Sequence, residues 1–146
     1  MDSTLWLTLS LLGLGLAAGL AYRFFHGRGH KVVGNECINL EKLAVSKNGD
    51  PVTAFGKTAT LVQFSTQYCG QCPGVGRALA KLEYRNGDVL FIEADITDRL
   101  NLAAHFNITQ TPTVLVLNSA GVIKYRFGGV PKAGTIESEL TKLGVT

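Results

Sequence analysis

The sequence predicts an α/β layer domain carried behind one N-terminal apolar helix. Three observations point there. Strand-like and helix-like segments alternate along residues 37–146, an uncharged run of twenty residues (3–22) precedes them, and no internal repeat is detectable. The chain has 146 residues, enough for one compact domain of about 100–150 residues and too few for a two-domain enzyme. Hydrophobic residues make up 46% and charged residues 17%, which excludes a disordered chain. The mean hydropathy of +0.19 is high for a soluble domain, and the excess sits at the start.

The run STLWLTLSLLGLGLAAGLAY between Asp2 and Arg23 is about 30 Å long as a helix, the thickness of a bilayer's hydrocarbon core. Trp6 and Tyr22 stand near its two ends, where amphipathic rings sit at headgroup level. A cleaved signal peptide is the alternative, with small residues at Ala18–Ala21 for cleavage. Such a peptide needs a basic segment ahead of the apolar run, and here only Asp2 is charged. The basic residues Arg23, Arg28 and Lys31 follow it instead. This pattern favours an uncleaved single-pass anchor over residues 1–22, with the domain on the cytoplasmic side. Gly15 and Gly19 form a GxxxG pattern through which two such helices would approach as a dimer.

Of the net charge of +3, residues 1–31 supply +2 (three basic, one acidic) and residues 32–146 supply +1 (eleven basic, ten acidic). The domain is nearly neutral and has no basic stripe interleaved with aromatics, so nucleic acid is not an expected partner.

Residues 23–36, broken by Gly27, Gly29 and Gly34, read as a juxtamembrane linker to a domain over 37–146. Within the domain, residues 37–59 carry the weakest pattern, with a turn at Asn48-Gly49-Asp50-Pro51. Thr60–Ser65 is a short apolar run of β-formers. Residues 74–85 place Val75, Leu79 and Leu82 at helical spacing. Val89–Ala94 is strand-like, and 98–106 is helical with Asp95 or Thr97 as N-cap. Thr113–Leu117 and Val122–Phe127 flank a hairpin turn at Asn118–Gly121. Residues 133–143 close the chain as an amphipathic helix.

Two of the three cysteines stand together in Tyr68-Cys69-Gly70-Gln71-Cys72-Pro73, after a strand and before a helix. A helix N-terminus carries partial positive charge and unpaired N–H groups, which lower a thiol's pKa toward a nucleophilic thiolate. A second thiol three residues on can attack a mixed disulfide and release the product. Pro73 suits an early helical position, and Gly70 lets a substrate chain approach. Haem attachment needs a His where Pro73 stands, and a zinc site would have to recruit Cys37 and His105 from elsewhere. A static structural disulfide, or two cysteines brought together by chance, would fit the spacing without any redox role. Thiol–disulfide exchange is the favoured chemistry. Cys37 reads as a small buried hydrophobe. No phosphate loop, dinucleotide fingerprint or serine elbow appears, and no cofactor or metal is expected.

The run Leu61–Cys72 (LVQFSTQYCGQC) resembles the strand and active-site turn of thioredoxins. Thr111-Pro112-Thr113, leading into an apolar strand, resembles that family's cis-proline turn, and Gly121 and Gly128 fall where its glycines do. The likeness runs over residues 37–144. It implies a thioredoxin fold with a central mixed sheet between helices. It also implies Cys69 as nucleophile, Cys72 as resolving thiol, and Thr111 and Pro112 as the substrate-binding turn. The implied partners are disulfide-containing proteins and a reductase or other electron donor. Three residues depart from the family's usual pattern: Tyr68 stands for Trp, Gln71 for Pro, and Gln63 for a buried Asp. The resulting expectation is a membrane-anchored thiol–disulfide oxidoreductase that reduces protein disulfides. The competing expectation is a non-catalytic scaffold that uses the groove near Thr111 and Pro112 to hold a client.

Overall fold

The computed structural model describes residues 3–146. Met1 and Asp2, the first two residues assigned to the anchor, lie outside them. Helix α1 (Ser3–Phe25) buries none of its residues, so its Leu-rich surface is left facing outward on every side. It is about 35 Å long and apolar enough to cross a bilayer.

Part of the segment expected to be a linker pairs with the sheet of the domain. After the helix stops at Phe25 the chain forms β1 (Gly29–Lys31), an edge strand antiparallel to β7 (Ile123–Gly128). Such a strand is held by backbone hydrogen bonds and leaves His30 and Lys31 exposed, so hydrophobic periodicity does not reveal it. Tyr125 seals the junction by donating its hydroxyl to the Gly29 carbonyl at 3.1 Å.

Next comes α2 (Leu40–Leu43), capped by the Asn39 side chain, which accepts from the backbone N–H groups of Glu41 and Lys42. A two-residue turn at Asn48-Gly49, both with positive φ, joins β2 (Ser46–Lys47) to β3 (Asp50–Pro51). Cys37 is exposed rather than buried. It bridges Val122, and the period-two alternation of extended chain turns Ile38 to the core in its place.

The main sheet has five strands in the order β1-β7-β6-β4-β5, with β4 (Ala59–Ser65), β5 (Val89–Asp95) and β6 (Thr113–Asn118). Strands β4 and β5 are parallel, joined by α3 (Cys72–Arg85), and the other pairs are antiparallel. Every residue of β4 is buried, because both faces of the sheet are covered. On one face, Leu61, Phe91, Val114 and Phe127 pack against Val75, Leu79 and Leu82 of α3 and against Ile136 and Leu140 of α5 (Thr135–Lys142). On the other, Val62, Phe64, Ile92 and Leu115 meet Leu40 and Leu43 of α2, Leu102 of α4 (Leu100–His105), and Phe106 just after it. Each such side chain contributes roughly 1.5–3 kcal/mol by leaving water. The β6–β7 turn lies where expected, with Gly121 at φ +78° and the Asn118 side chain accepting from Ala120 and Val122 N–H. Asp95 and Thr97 do not cap α4. Asp95 accepts instead from the N–H and hydroxyl of Thr97, while the helix starts later, after Arg99.

The outer edge of β5 is closed by an ion pair. Glu83 of α3 accepts from the Phe91 N–H at 3.1 Å and pairs with Lys47, whose ammonium also donates to the Phe91 carbonyl at 2.8 Å. Both charged side chains are about a quarter to a third exposed (26% and 31%), so solvent screens the pair only in part. Glu83→Ala leaves the Phe91 N–H and the Lys47 ammonium without their carboxylate. We expect a loss of about 1–2 kcal/mol, read as a lower thermal unfolding midpoint of the full chain in uncharged detergent.

Candidate active site

Residues 66–71 connect the C-terminal end of β4 to α3, and this turn presents the Cys69–Cys72 pair. The turn is braced from two sides. The Cys69 N–H donates to the Thr66 carbonyl at 3.1 Å, and the Gln67 N–H donates to the Thr97 hydroxyl oxygen at 3.0 Å. Thr97 in turn donates its hydroxyl to Asp95, and that bond, then the Thr97 N–H, holds the Asp95 carboxyl below its ordinary pKa.

Cys69 and Cys72 are joined as a disulfide, with Cα atoms 5.5 Å apart. Helix α3 begins at Cys72 itself rather than at residue 74, so the second cysteine lies in the first turn. The two sulfurs have different surroundings. Cys69 is partly exposed, whereas Cys72 is 2% exposed. The Cys72 backbone N–H points at the Cys69 sulfur at 3.2 Å, and no side chain caps this helix end. A thiolate on Cys69 would therefore lie against the positive end of α3. Pro73 occupies the first helical positions. Gly70 and Gln71 are exposed, and a side chain at position 70 would meet nothing within 4 Å, so the turn is open to an approaching chain. Tyr68 is 84% exposed and adds an aromatic face beside the pair.

Pro112 reaches the same end of the sheet through strand register. Thr113 pairs with Phe64 across β6 and β4, which sets Pro112 beside the end of β4. The Thr111–Pro112 bond is cis. The Thr111 hydroxyl lies 3.5 Å from that of Thr66 on the cysteine turn, and the Pro112 carbonyl accepts from the Gly129 N–H at 2.8 Å. Among the described residues, nothing hydrogen-bonds to the backbone N–H or carbonyl of Thr111. One polar edge is thus left free near the disulfide. Tyr68, Cys69, Gly70, Gln71, Cys72, Pro73, Thr111 and Pro112 therefore gather at one end of the sheet, whereas Cys37 and His105 do not join them.

Beneath the pair, Gln63 is fully buried and donates its side-chain amide to the Cys72 carbonyl at 2.9 Å. Among the described residues its Oε1 has no partner, and it lies 3.4 Å from where a side chain at Gly76 would begin. An amide here holds the start of α3 without a titratable proton. Glu93 is the register partner of Gln63 on β5, but it is solvent-exposed.

A contact between segments far apart in sequence brings the end of α1 to the same neighbourhood. Lys132 donates to the Phe24 carbonyl at 3.4 Å, and a Cβ on Gly27 would collide with the Val130 carbonyl oxygen. His26 lies 3.5 Å from where a side chain at Gly129 would begin. The loop carrying Gly129, which bonds Pro112, is therefore also the seat of the α1 terminus. The sequence signal that could have raised this is the pair of glycine-rich stretches, 27–29 and 128–129, each needed for close backbone approach.

Comparison with known proteins agrees with this architecture. The sequence model of the family described as thioredoxin matches residues 42–142. Mitochondrial thioredoxin of Mus musculus is 32% identical over 88 residues, 60% of this chain and 52% of its own length. Thioredoxin of Mycoplasma genitalium is 28% identical over 81 residues, 56% of this chain and 79% of its own length. The chain thus spans about half the length of the mitochondrial relatives it matches. Among solved structures, Fasciola hepatica thioredoxin superimposes with a TM-score of 0.52 at 23% identity, covering 60% of this chain and 82% of that one. Oxidised mitochondrial thioredoxin 3 of Saccharomyces cerevisiae gives a TM-score of 0.51 at 21% identity, covering 59% and 79%. With the mixed five-stranded sheet, the cysteine pair at the start of α3 and the cis Thr111–Pro112 turn, these matches place the chain in the thioredoxin family.

Proposed function

We propose that this protein is a membrane-anchored thiol–disulfide oxidoreductase that reduces protein disulfides through Cys69 and Cys72. The observation that carries the reading is the asymmetry of the pair. One sulfur is accessible and receives an N–H from a helix N-terminus, while the other is buried behind it.

In the reduced protein the Cys69 thiolate attacks one sulfur of a substrate disulfide. A Cys69–substrate S–S bond forms, the substrate's own S–S bond breaks, and its second sulfur leaves as a thiolate and takes a proton from water. Cys72 then loses its proton and attacks the Cys69 sulfur, forming the Cys69–Cys72 bond and expelling the second substrate thiolate. The substrate gains two electrons and the pair loses two, which a reductase or other electron donor must restore. The free Thr111 backbone groups supply a strand edge on which an extended substrate segment can lie. Gln63 cannot accept the Cys72 proton, so that proton passes to water in the resolving step.

Helix α1 is read as the anchor. The cations Arg23, Arg28 and Lys31 after it favour a cytoplasmic domain, a compartment where disulfide reduction is the natural direction. Because the α1 terminus rests on the 128–132 loop, the anchor would hold the cysteine pair close to the bilayer and raise the effective concentration of membrane-proximal substrates.

Wild-type protein should reduce insulin disulfides with dithiothreitol as donor. Cys69→Ser should abolish the activity, and Cys72→Ser should accumulate a mixed disulfide on Cys69 visible by mass. Full activity in the Cys69→Ser variant would remove Cys69 as the nucleophile, and a wild-type protein without activity would replace catalysis by the scaffold reading. Gln63→Asp should add an ionisation to the pH–rate profile at neutral to alkaline pH, since burial raises a carboxyl pKa. An unchanged profile would remove position 63 from the resolving step. A membrane-impermeant maleimide should leave the exposed Cys37 unlabelled in intact cells and label it after lysis, and labelling of intact cells would place the domain outside.

A further inference from the structure

Where α1 meets the domain, an open pocket of about 610 Å³ lies between the end of α1, β1, β7 and the end of α4. This is within the roughly 300–1,000 Å³ typical of small-ligand sites. Its lining is unusual in charge. All three histidines of the chain, His26, His30 and His105, contribute to it, together with Arg28 and Arg126; Lys31 also borders it, but pairs with Tyr125, so strand alternation turns its side chain to the opposite face of the sheet. Glu36 is the one carboxylate on its wall. Among the described residues, neither arginine nor Lys31 lies within 4.0 Å of a carboxylate.

These groups come together through the tertiary structure. His30 and Arg126 are direct cross-strand partners, which places their side chains on the same face of the sheet. Arg126 is half-buried and donates to the Asn107 carbonyl at 3.5 Å, beside the end of α4. The Arg28 guanidinium stacks 4.0 Å from the centre of the Phe24 ring and is held at the helix terminus. Unpaired cations gathered around one cavity repel each other, and an anion in it would relieve the repulsion. Guanidinium groups match phosphate oxygens with paired donors, and an imidazole offers an N–H in either protonation state.

We propose that this cavity binds the phosphate group of an anionic lipid. The inference rests on reading α1 as a membrane span, because the cavity begins at Phe25, the last residue of that helix, and so would lie at headgroup level. Zwitterionic lipids carry a compensating cation that the arginines would repel, so the site should select for net negative charge.

The test uses the full chain in an uncharged detergent and a phosphate-free buffer. Melting temperature is followed against dihexanoyl-phosphatidylglycerol, dihexanoyl-phosphatidylcholine and inorganic phosphate, since a ligand of the folded state raises it. Phosphatidylglycerol should raise the melting temperature in a saturable way, with the other two well below it at equal concentration. Arg28→Gln/Arg126→Gln should weaken the apparent affinity at least fivefold, while Arg85→Gln, at the far end of α3, should retain it. If the double variant does not fold, Arg28→Gln alone carries the comparison, its side chain being exposed. An equal effect of phosphatidylcholine, or full affinity in the arginine variant, overturns the site. An equal effect of inorganic phosphate overturns the lipid as its source. Alkaline carbonate extraction of membranes tests the span separately. Release of the protein removes the span and with it the lipid proposal, whereas retention without a phosphatidylglycerol-specific shift overturns the cavity assignment alone.

Discussion

Strand β4 sits at the centre of the sheet with both of its faces buried and both of its edges paired, and the functional end of the molecule depends on that confinement. A strand held on all sides fixes the position and direction of its last residue to within the tolerance of a packed core. The turn that follows Ser65 inherits that precision, and so does the first turn of α3, pinned by Val75, Leu79 and Leu82. A reactive cysteine needs this support. Its thiolate character comes from aligned backbone N–H groups whose effect fades within one helical turn.

The second structural requirement is a polar group at the centre of an apolar layer. Gln63 points from β4 into the layer under α3 and donates to the Cys72 carbonyl. A buried carboxylate at the same place would titrate and exchange charge with the cysteine pair. The amide gives the structural bond without the charge, at the cost of leaving Oε1 unpaired. The same framework thus places a non-titrating amide directly beneath the cysteine pair.

Around the cis Thr111–Pro112 turn, three chain segments that are distant in sequence converge. The loop after β7 bonds Pro112, the α1 terminus rests on that loop, and β1 extends the sheet beside β7. The helix end, a strand and a loop share contacts here, so α1 and the Thr111–Pro112 turn have a defined relation. The cavity at this junction follows from the same convergence.

Much was determined by the sequence alone because it rests on local physical chemistry. The strands and helices from residue 60 onward follow from hydrophobic periodicity, the β6–β7 turn from Asn118 and Gly121, and the chemistry from two cysteines three residues apart at a strand-to-helix boundary. The length and lack of charge of residues 3–22 likewise define a helix able to span a bilayer. Tertiary structure decided what depends on partners far along the chain. It made residues 29–31 an edge strand, because backbone pairing with β7 leaves no hydrophobic pattern to read. It turned Cys37 outward and Ile38 inward, because pairing with Val122 sets which alternate residue faces the core. It also gave Gln63 its hydrogen bond, the α1 terminus its seat, and Arg28, Arg126 and three histidines a common cavity. None of these contacts has a sequence spacing of its own, since each exists only once the sheet brings its two sides together.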